Sequence, residues 1–300
     1  MNRATLPIAA GALGHPLRNR GKLREVWSRI RRDKAAIGGL IALVLLGLVG
    51  IFANQVAPYG YDDQNIPVAL TAPGVLRQYP LGTDSVGRDM LSRLIYGTRV
   101  SLVAGLSATA IATFLGMLLG GIGGFYGGKL DNAIMRVMDI LLAVPGILLA
   151  IAVAATLGPG LRNAVVAVGI AAIPIFARVI RGSILSVREM EYIEAARAIN
   201  ARDLRLMLKH VLPNVLAPVI VQFTLVIGHA IMEIAALSFL GLGAQPPVPE
   251  WGAMISFGRG YLRDYGYMMT LPGIAIMLTV FSINLLGDGL RDALDPRLKH

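Results

Sequence analysis

The sequence predicts an all-α integral membrane protein with six transmembrane helices. Of its 300 residues, 55% are hydrophobic and only 15% are charged, whereas about a quarter of the residues in a soluble domain are charged. The apolar residues are gathered into long runs that contain no charge. Lipid is therefore the expected solvent for most of this chain.

Three predicted spans precede residue 160. The first, residues 35–53, contains nineteen uncharged residues, enough to cross a hydrocarbon layer of roughly 30 Å at about 1.5 Å per residue. We assign residues 35–57 to this first transmembrane segment. The second span falls within the uncharged run 100–128, and the third covers residues 134–156.

The third span carries two local features. Pro145 predicts a bend near its start, because proline inside a helix interrupts the hydrogen-bond ladder. Arg136 and Asp139 are three residues apart, so we expect them to form an ion pair at the polar boundary of the membrane.

Three further spans follow. The fourth has only fifteen uncharged residues between Arg162 and Arg178 and includes Pro174, so the flanking arginines must extend to the membrane surfaces. The fifth span covers residues 215–240 and the sixth 267–286. We group residues 101–290 as one membrane domain and residues 291–300 as a polar tail.

Residues 1–34 form a basic leader with nine Lys or Arg side chains. Within it, Leu23, Val26, Trp27 and Ile30 share one helical stripe flanked by basic residues, a pattern typical of a helix that lies in the membrane interface. A disordered basic tail is the alternative. The segment lacks a convincing cleavage site, so we do not interpret it as a removable signal peptide.

Residues 58–100 form a polar loop between the first two spans. In this loop Asp89 and Arg93 are four residues apart, which predicts an ion pair on a short helix. The span that follows carries small residues at every fourth position, and this ridge should let another helix backbone approach closely. Its members are Ala104, Ala108, Ala112, Gly116, Gly120 and Gly124.

The sequence indicates no catalytic, cofactor-binding or metal site. It contains no cysteine, and its four histidines are scattered along the chain. Residues 123–129 fit the front of a phosphate-binding Walker A loop, but Leu130 stands where Ser or Thr must hold Mg²⁺, and no buried strand precedes the loop. Nucleotide binding by this chain is therefore not expected.

Residues 188–214 are the one long polar interval among the later spans, and they predict two short helices. In the first, Tyr192, Ala195, Ala196 and Ile199 share a face, opposite charged residues. In the second, Leu204, Met207, Leu208 and Val211 form a similar stripe. Pro213 should end the second helix, because an interior proline lacks the N–H that the helix requires. An amphipathic loop lying on the membrane surface is the simplest alternative.

The distribution of basic residues predicts the orientation. With six spans, one side of the membrane holds the leader, the 129–136 turn, residues 178–209 and the tail, which together carry 21 of the 28 Lys and Arg residues. By the positive-inside rule both termini and the polar interval are cytoplasmic. This placement accounts for the net charge of +10 and argues against nucleic acid as a partner.

The polar interval also resembles a known loop. Glu194-Ala195-Ala196, then Asn200, then Leu212-Pro213 resemble the EAA loop of ATP-binding-cassette (ABC) importer permeases, where glycine occupies the position of Asn200. Asn accommodates the left-handed turn that this glycine makes. The resemblance implies that residues 183–214 couple the permease to a cytoplasmic ATPase. The implied coupling residues are Glu191, Glu194, Ala195, Ala196, Asn200, Leu212 and Pro213.

Three further stretches make the resemblance more specific. Residues 81–99, the SFLGLGAQPP segment that begins at Ser238 and continues to Gly252, and the carboxy-terminal residues 284–297 are similar to permeases of the dipeptide, oligopeptide, nickel and glutathione importer family. The resemblance extends over residues 81–299, and the chain looks like the second of two paired permease subunits in that family.

The family implies a type I ABC-importer transmembrane domain that works as a heterodimer with a second permease. It also implies two ATPase subunits, which would bind ATP and Mg²⁺, and a periplasmic or lipid-anchored solute-binding protein. The expected location is the bacterial cytoplasmic membrane, and the expected solutes are peptides, glutathione or nickel chelates.

One ionisable pair lies inside a span. Glu233 follows His229 by four residues and so shares its face, and a carboxylate at mid-membrane costs on the order of 3 kcal/mol. Glu233 must therefore face protein or water. It either lines a pore and meets cationic parts of the substrate, or makes a structural hydrogen bond near the external end of the helix.

Two other functions remain open at this point. An ion-coupled secondary transporter or channel would need no ATPase, but such proteins usually carry several intramembrane charges or broken-helix repeats. A membrane enzyme would need a nucleophile, a metal motif or an acid/base pair, and no such pattern is evident.

Overall fold

The computed structural model describes residues 26–198 and 202–294. Within these residues the chain is helical, and its β structure is limited to an isolated bridge between Thr83 and Asp89. Five helices are long and apolar enough to cross a membrane, and a bent helix pair brings the number to six if it forms one broken span. The predicted all-α membrane fold is confirmed, with five or six spans among the described residues.

The helices are numbered here in chain order. They are α1 (Lys34–Ile51), α2 (Met90–Tyr126), α3 (Gly128–Leu142), α4 (Gly146–Leu157), α5 (Leu161–Arg188), α6 (Glu191–Ala198), α7 (Asp203–Leu206), α8 (Leu212–Phe239), α9 (Trp251–Gly258) and α10 (Tyr267–Leu294). The "loop end" of the bundle carries residues 58–89 and 240–266, and the "elbow end" carries residues 189–198 and 202–211.

Helix α2 begins earlier than the sequence pattern predicts. Residues 90–99 are not a separate short helix but the first turns of a single helix of 37 residues. The predicted Asp89–Arg93 pair is wrong, because Asp89 caps this helix by accepting from the Ser92 N–H at 2.7 Å. Arg93 instead donates to the Tyr61 carbonyl at 2.8 Å and lies 3.7 Å from the Asp84 carboxylate.

The third span is broken in two. Helices α3 and α4 meet at an angle of 91°, with Pro145 as the residue before α4, so the predicted bend is confirmed but lies at the middle of the span. The predicted Arg136–Asp139 pair is wrong, because Asp139 pairs across the bundle with Arg178 of α5 at 2.5 Å.

A second ion pair joins the same two helices. Arg181 of α5 donates two hydrogen bonds of 2.6 Å to the Asp131 carboxylate of α3. The Asp131 side chain is buried, and that of Arg181 is one-third exposed. The charged residues of these short spans therefore tie α3 to α5.

The centre of the bundle is the contact between α2 and α5, which pack along most of their lengths. The predicted small-residue ridge is buried on this contact. A β-carbon placed on Gly116 would lie 2.4 Å from the Phe176 Cβ, and one on Gly120 would lie 2.3 Å from the Ala177 carbonyl oxygen. Only the missing side chains allow the two backbones to come this close.

The described part of the leader packs against protein. Residues 26–30 are helical, and Ile30 is buried in a small cluster with Ala36 of α1 and Ala293 of α10. Trp27 is 43% exposed, with the Arg31 guanidinium 5.2 Å from its ring centroid. Leu23, the first residue of the predicted stripe, lies outside the described residues.

Candidate functional site: the elbow and the central cavity

The elbow comprises residues 189–211, which connect α5 to α8. Its helix α6 is anchored by Ile193, which is fully buried in the largest hydrophobic cluster of the bundle together with Ile184 and Val187 of α5. Ala196 packs against the same cluster as a partly buried neighbour. The elbow is thus attached to the core by its own apolar side chains.

The other side of α6 is open. Glu191, Glu194 and Ala195 are exposed, and Tyr192 is exposed beside them. Of the predicted face, Tyr192 and Ala195 are thus exposed, Ala196 is partly buried, and Ile199 lies outside the described residues. The side chain that reaches the core is Ile193, which is not a member of that face.

The second predicted stripe also needs correction. Leu204 and Leu208 are exposed, whereas Leu206 and Val211 are fully buried. The reason is a π-turn at Met207–Val211, which inserts an extra residue and rotates the side chains relative to a regular α-helix.

The same π-turn explains why Pro213 does not end the helix. Leu212 donates its N–H to the Met207 carbonyl, five residues back, and Pro213 then occupies the first turn of α8, where its missing N–H is tolerated. Helical structure therefore continues from Asp203 to Phe239. A 3.1 Å hydrogen bond from the Asn214 amide to the Tyr192 hydroxyl links the base of α8 to α6.

The predicted coupling residues fall into three groups. Glu191, Glu194 and Ala195 share the exposed side of α6, and Ala196 lies toward the core. Leu212 and Pro213 are at the start of α8, directly before Asn214, which contacts α6. Asn200 lies outside the described residues, as do Ile199 and Ala201.

The second candidate site is a half-open cavity of about 490 Å³ lined by α4, α5, α8 and α10. Three of its polar residues, Gln222, His229 and Glu233, follow one stripe of α8, and Asn284 of α10 completes the polar lining. The predicted common face of His229 and Glu233 is therefore confirmed. The opposite wall is apolar and comes from α5, including Val168 and Ala172.

Glu233 lies against the start of α4. A β-carbon built on Gly146, the first residue of that helix, would be 3.6 Å from the Glu233 Oε1 atom. The amino-terminal end of a helix carries a partial positive charge that stabilises a nearby carboxylate. The sharp bend at Pro145 is what brings this helix end to the cavity.

Two cavity residues were not predicted from the sequence. Gln222 could have been found, since it precedes His229 by seven residues and so falls on the same helical stripe. Asn284 lies on a different helix, and no sequence pattern gives the rotation of α10 relative to α8.

A buried carboxylate organises the loop end. Glu250 is 1% exposed and caps α9 by accepting from the Gly252 and Ala253 N–H groups at 3.0 and 2.9 Å. The Ser101 hydroxyl of α2 lies 3.3 Å from the same carboxylate. Burial raises the pKa of Glu250 above its ordinary value, and these hydrogen bonds oppose the shift.

The long apolar helices, the cavity with its four polar side chains and the anchored helix exposed at one end are consistent with the membrane subunit of a transporter. The chain belongs to the family described as "Binding-protein-dependent transport system inner membrane component", which matches residues 112–300. Residues 21–73 match a second family, the N-terminal TM domain of oligopeptide transport permease C.

Two relatives cover nearly the whole chain. The di/tripeptide transport system permease protein DppC of Pseudomonas aeruginosa (strain UCBPP-PA14) is 47% identical over 282 residues, 93% of each chain. The glutathione transport system permease protein GsiD of Escherichia coli (strain 536 / UPEC) is 45% identical over 303 aligned positions, 99% of this chain and 98% of its own. Both are transport permeases, which agrees with a non-enzymatic role.

A solved structure shows the same fold. The inward-facing MetNI methionine ABC transporter, in its native CY5 crystal form, aligns with a TM-score of 0.52 and 22% identity over 69% of this chain and 98% of that one. The chain is therefore a permease subunit of an ABC importer and a multi-pass protein of the inner membrane. This assignment replaces the alternatives of a secondary transporter, a channel or a membrane enzyme.

Proposed function

We propose that this chain is one of two different permease subunits in an importer of short peptides, of the di- and tripeptide or glutathione class. Oligopeptides and nickel chelates are the wider range of solutes in the resembled family. The two relatives that cover almost the entire chain support the narrower class, because their names specify di/tripeptide and glutathione transport.

We further propose that the elbow is the cytoplasmic docking site for the ATPase subunits, which bind ATP and Mg²⁺ in place of this chain. The observation that carries this proposal is the combination of an exposed side of α6 with a fully buried Ile193. A force applied to Glu191 and Glu194 would reach α5 and α8 through packed side chains, because interfaces of this kind move as rigid bodies.

The cavity lined by His229 and Glu233 is the proposed translocation path. Its volume of about 490 Å³ falls within the range of roughly 300–1,000 Å³ that small-molecule sites occupy. A solute-binding protein would deliver the peptide from the loop end, which the positive-inside rule places outside the cytoplasm.

Charge reversal tests the docking proposal. In the complete complex with its ATPases and binding protein, Glu194→Arg should lower peptide-stimulated ATP hydrolysis and transport at least about tenfold, because like charges placed at an interface repel. The matched control is Asp292→Arg, an exposed carboxylate near the end of α10 and outside both the elbow and the loop end, which should leave both rates unchanged. Normal coupling in Glu194→Arg, with the complex intact, would contradict the assignment of the elbow.

A further inference from the structure

The lining of the cavity contains a negatively charged side chain and no Lys or Arg among the described residues. Its lining contains one carboxylate, Glu233, one imidazole and two side-chain amides, from Gln222 and Asn284. The cavity can therefore bind a cation far better than it can bind an anion.

The Glu233 carboxylate is available to a ligand. Within residues 26–198 and 202–294 it accepts no hydrogen bond, unlike the buried Glu250, which accepts from two N–H groups of its own helix. A structural role near the external end of α8 would require such a partner. An intramembrane carboxylate that faces a cavity without one is instead typical of a substrate pathway.

The side-chain amides of Gln222 and Asn284 line the same cavity as Glu233. Gln222 lies eleven residues, or about three helical turns, before Glu233 on the same stripe of α8. Asn284 approaches α8 closely, since a β-carbon placed on Gly228 would be 3.5 Å from its Oδ1 atom. Amide groups can hydrogen-bond both the peptide linkage and the ammonium group of a peptide.

We infer that Glu233 forms a subsite for the primary ammonium group of the peptide during translocation, while Gln222 and Asn284, farther along the same cavity, hydrogen-bond other polar groups of the peptide. This inference rests on the proposed peptide transport. Dipeptides, tripeptides and glutathione all present a free primary ammonium, so one subsite would serve every solute of the proposed class. Glu233 would act on transport by pairing with this group, and the neighbouring α4 terminus adds a partial positive charge beside the carboxylate.

The test measures binding to the permease–ATPase complex in the absence of the binding protein, whose own selectivity would otherwise intervene. Saturation-transfer NMR would compare dialanine, dialanine amide and N-acetyl-dialanine, each at millimolar concentration. The wild-type complex should bind the first two about tenfold more tightly than the N-acetylated peptide, as expected for loss of a charge-assisted hydrogen bond. In Glu233→Gln this preference should fall to about twofold or less.

Glu233→Asp is the second variant, since it keeps the charge and should retain most of the preference if the complex folds normally. Equal binding of the three peptides to wild type, an unchanged preference in Glu233→Gln, or no binding at all would overturn the inference. Failure of the wild-type complex to import any peptide with its binding protein present would instead overturn the proposed function.

Discussion

Adding one methyl group at Gly120 should separate the two central helices of the bundle. The new Cβ would lie 2.3 Å from the Ala177 carbonyl oxygen and 3.0 Å from the Ala177 Cα, whereas non-bonded heavy atoms are most stable at about 3.5–4.0 Å. The neighbouring atoms are backbone and cannot rotate away. The helices must therefore move apart by about 1 Å, and overpacking of this kind costs about 1–3 kcal/mol.

The adjacent glycine provides the control. A Cβ on Gly121 would meet no atom within 4 Å, so Gly121→Ala has the same effect on helix propensity without the collision. The thermal unfolding midpoint of each purified complex should fall for Gly120→Ala and stay at or above the wild-type value for Gly121→Ala. Equal midpoints for the two variants would refute the close packing of α2 against α5.

Four other substitutions test the packing of the charged and polar groups. Asp131→Asn should lower the free energy of unfolding by about 1–3 kcal/mol, because it leaves the Arg181 guanidinium with an imperfect partner. Asp139→Asn, in an exposed pair, should lower it by at most about 1 kcal/mol. Thermal unfolding midpoints of the two variants would show whether this order holds. Tyr267→Phe removes the hydroxyl that donates to the Thr71 and Thr83 carbonyl oxygens, which should destabilise the attachment of the 58–89 loop by about 1 kcal/mol. Proteolysis within residues 58–89 should therefore become faster. An unchanged cleavage rate would count against this anchor. Burial raises the pKa of Glu250, so its contribution to stability is complete below the ordinary carboxyl pKa and is lost as pH rises through the folded-state pKa. Thermal midpoints of Glu250→Gln, measured across this pH range, should lack that loss. Identical dependence of the midpoint on pH in wild type and variant would be the contrary result.

Sequence alone predicted the parts of the fold that depend on local composition. Uncharged runs located the spans because lipid tolerates few charges, and Gly116 and Gly120 marked a buried ridge because only small residues permit such close helix packing. His229 and Glu233 were placed on one face because four residues make about one helical turn.

The remaining features depend on contacts between distant segments. Asp89 was assigned to Arg93 from spacing, but the start of α2 needed a cap and Asp89 supplies it. The anchoring of α6 by Ile193 was not predicted, because apolar residues occur on two sides of that short helix and only the packing of the core selects Ile193. Asn284 joins the cavity only through the packing of α10, which no local pattern specifies.

The most direct test is to determine on which side of the membrane the elbow lies and whether bound ATPase subunits shield it from a thiol reagent. The chain contains no cysteine, so Glu194→Cys introduces a single thiol, and Val75→Cys, at a residue 67% exposed in the loop between the first two spans, provides the matched control. In cells with an intact cytoplasmic membrane, an impermeant maleimide should label Val75→Cys and not Glu194→Cys. In vesicles that expose the inner face, Glu194→Cys should react readily, and the bound ATPase subunits should protect it. Labelling of Glu194→Cys from outside, or equal reactivity with and without the ATPases, would contradict the central claim that this elbow receives the work of ATP hydrolysis.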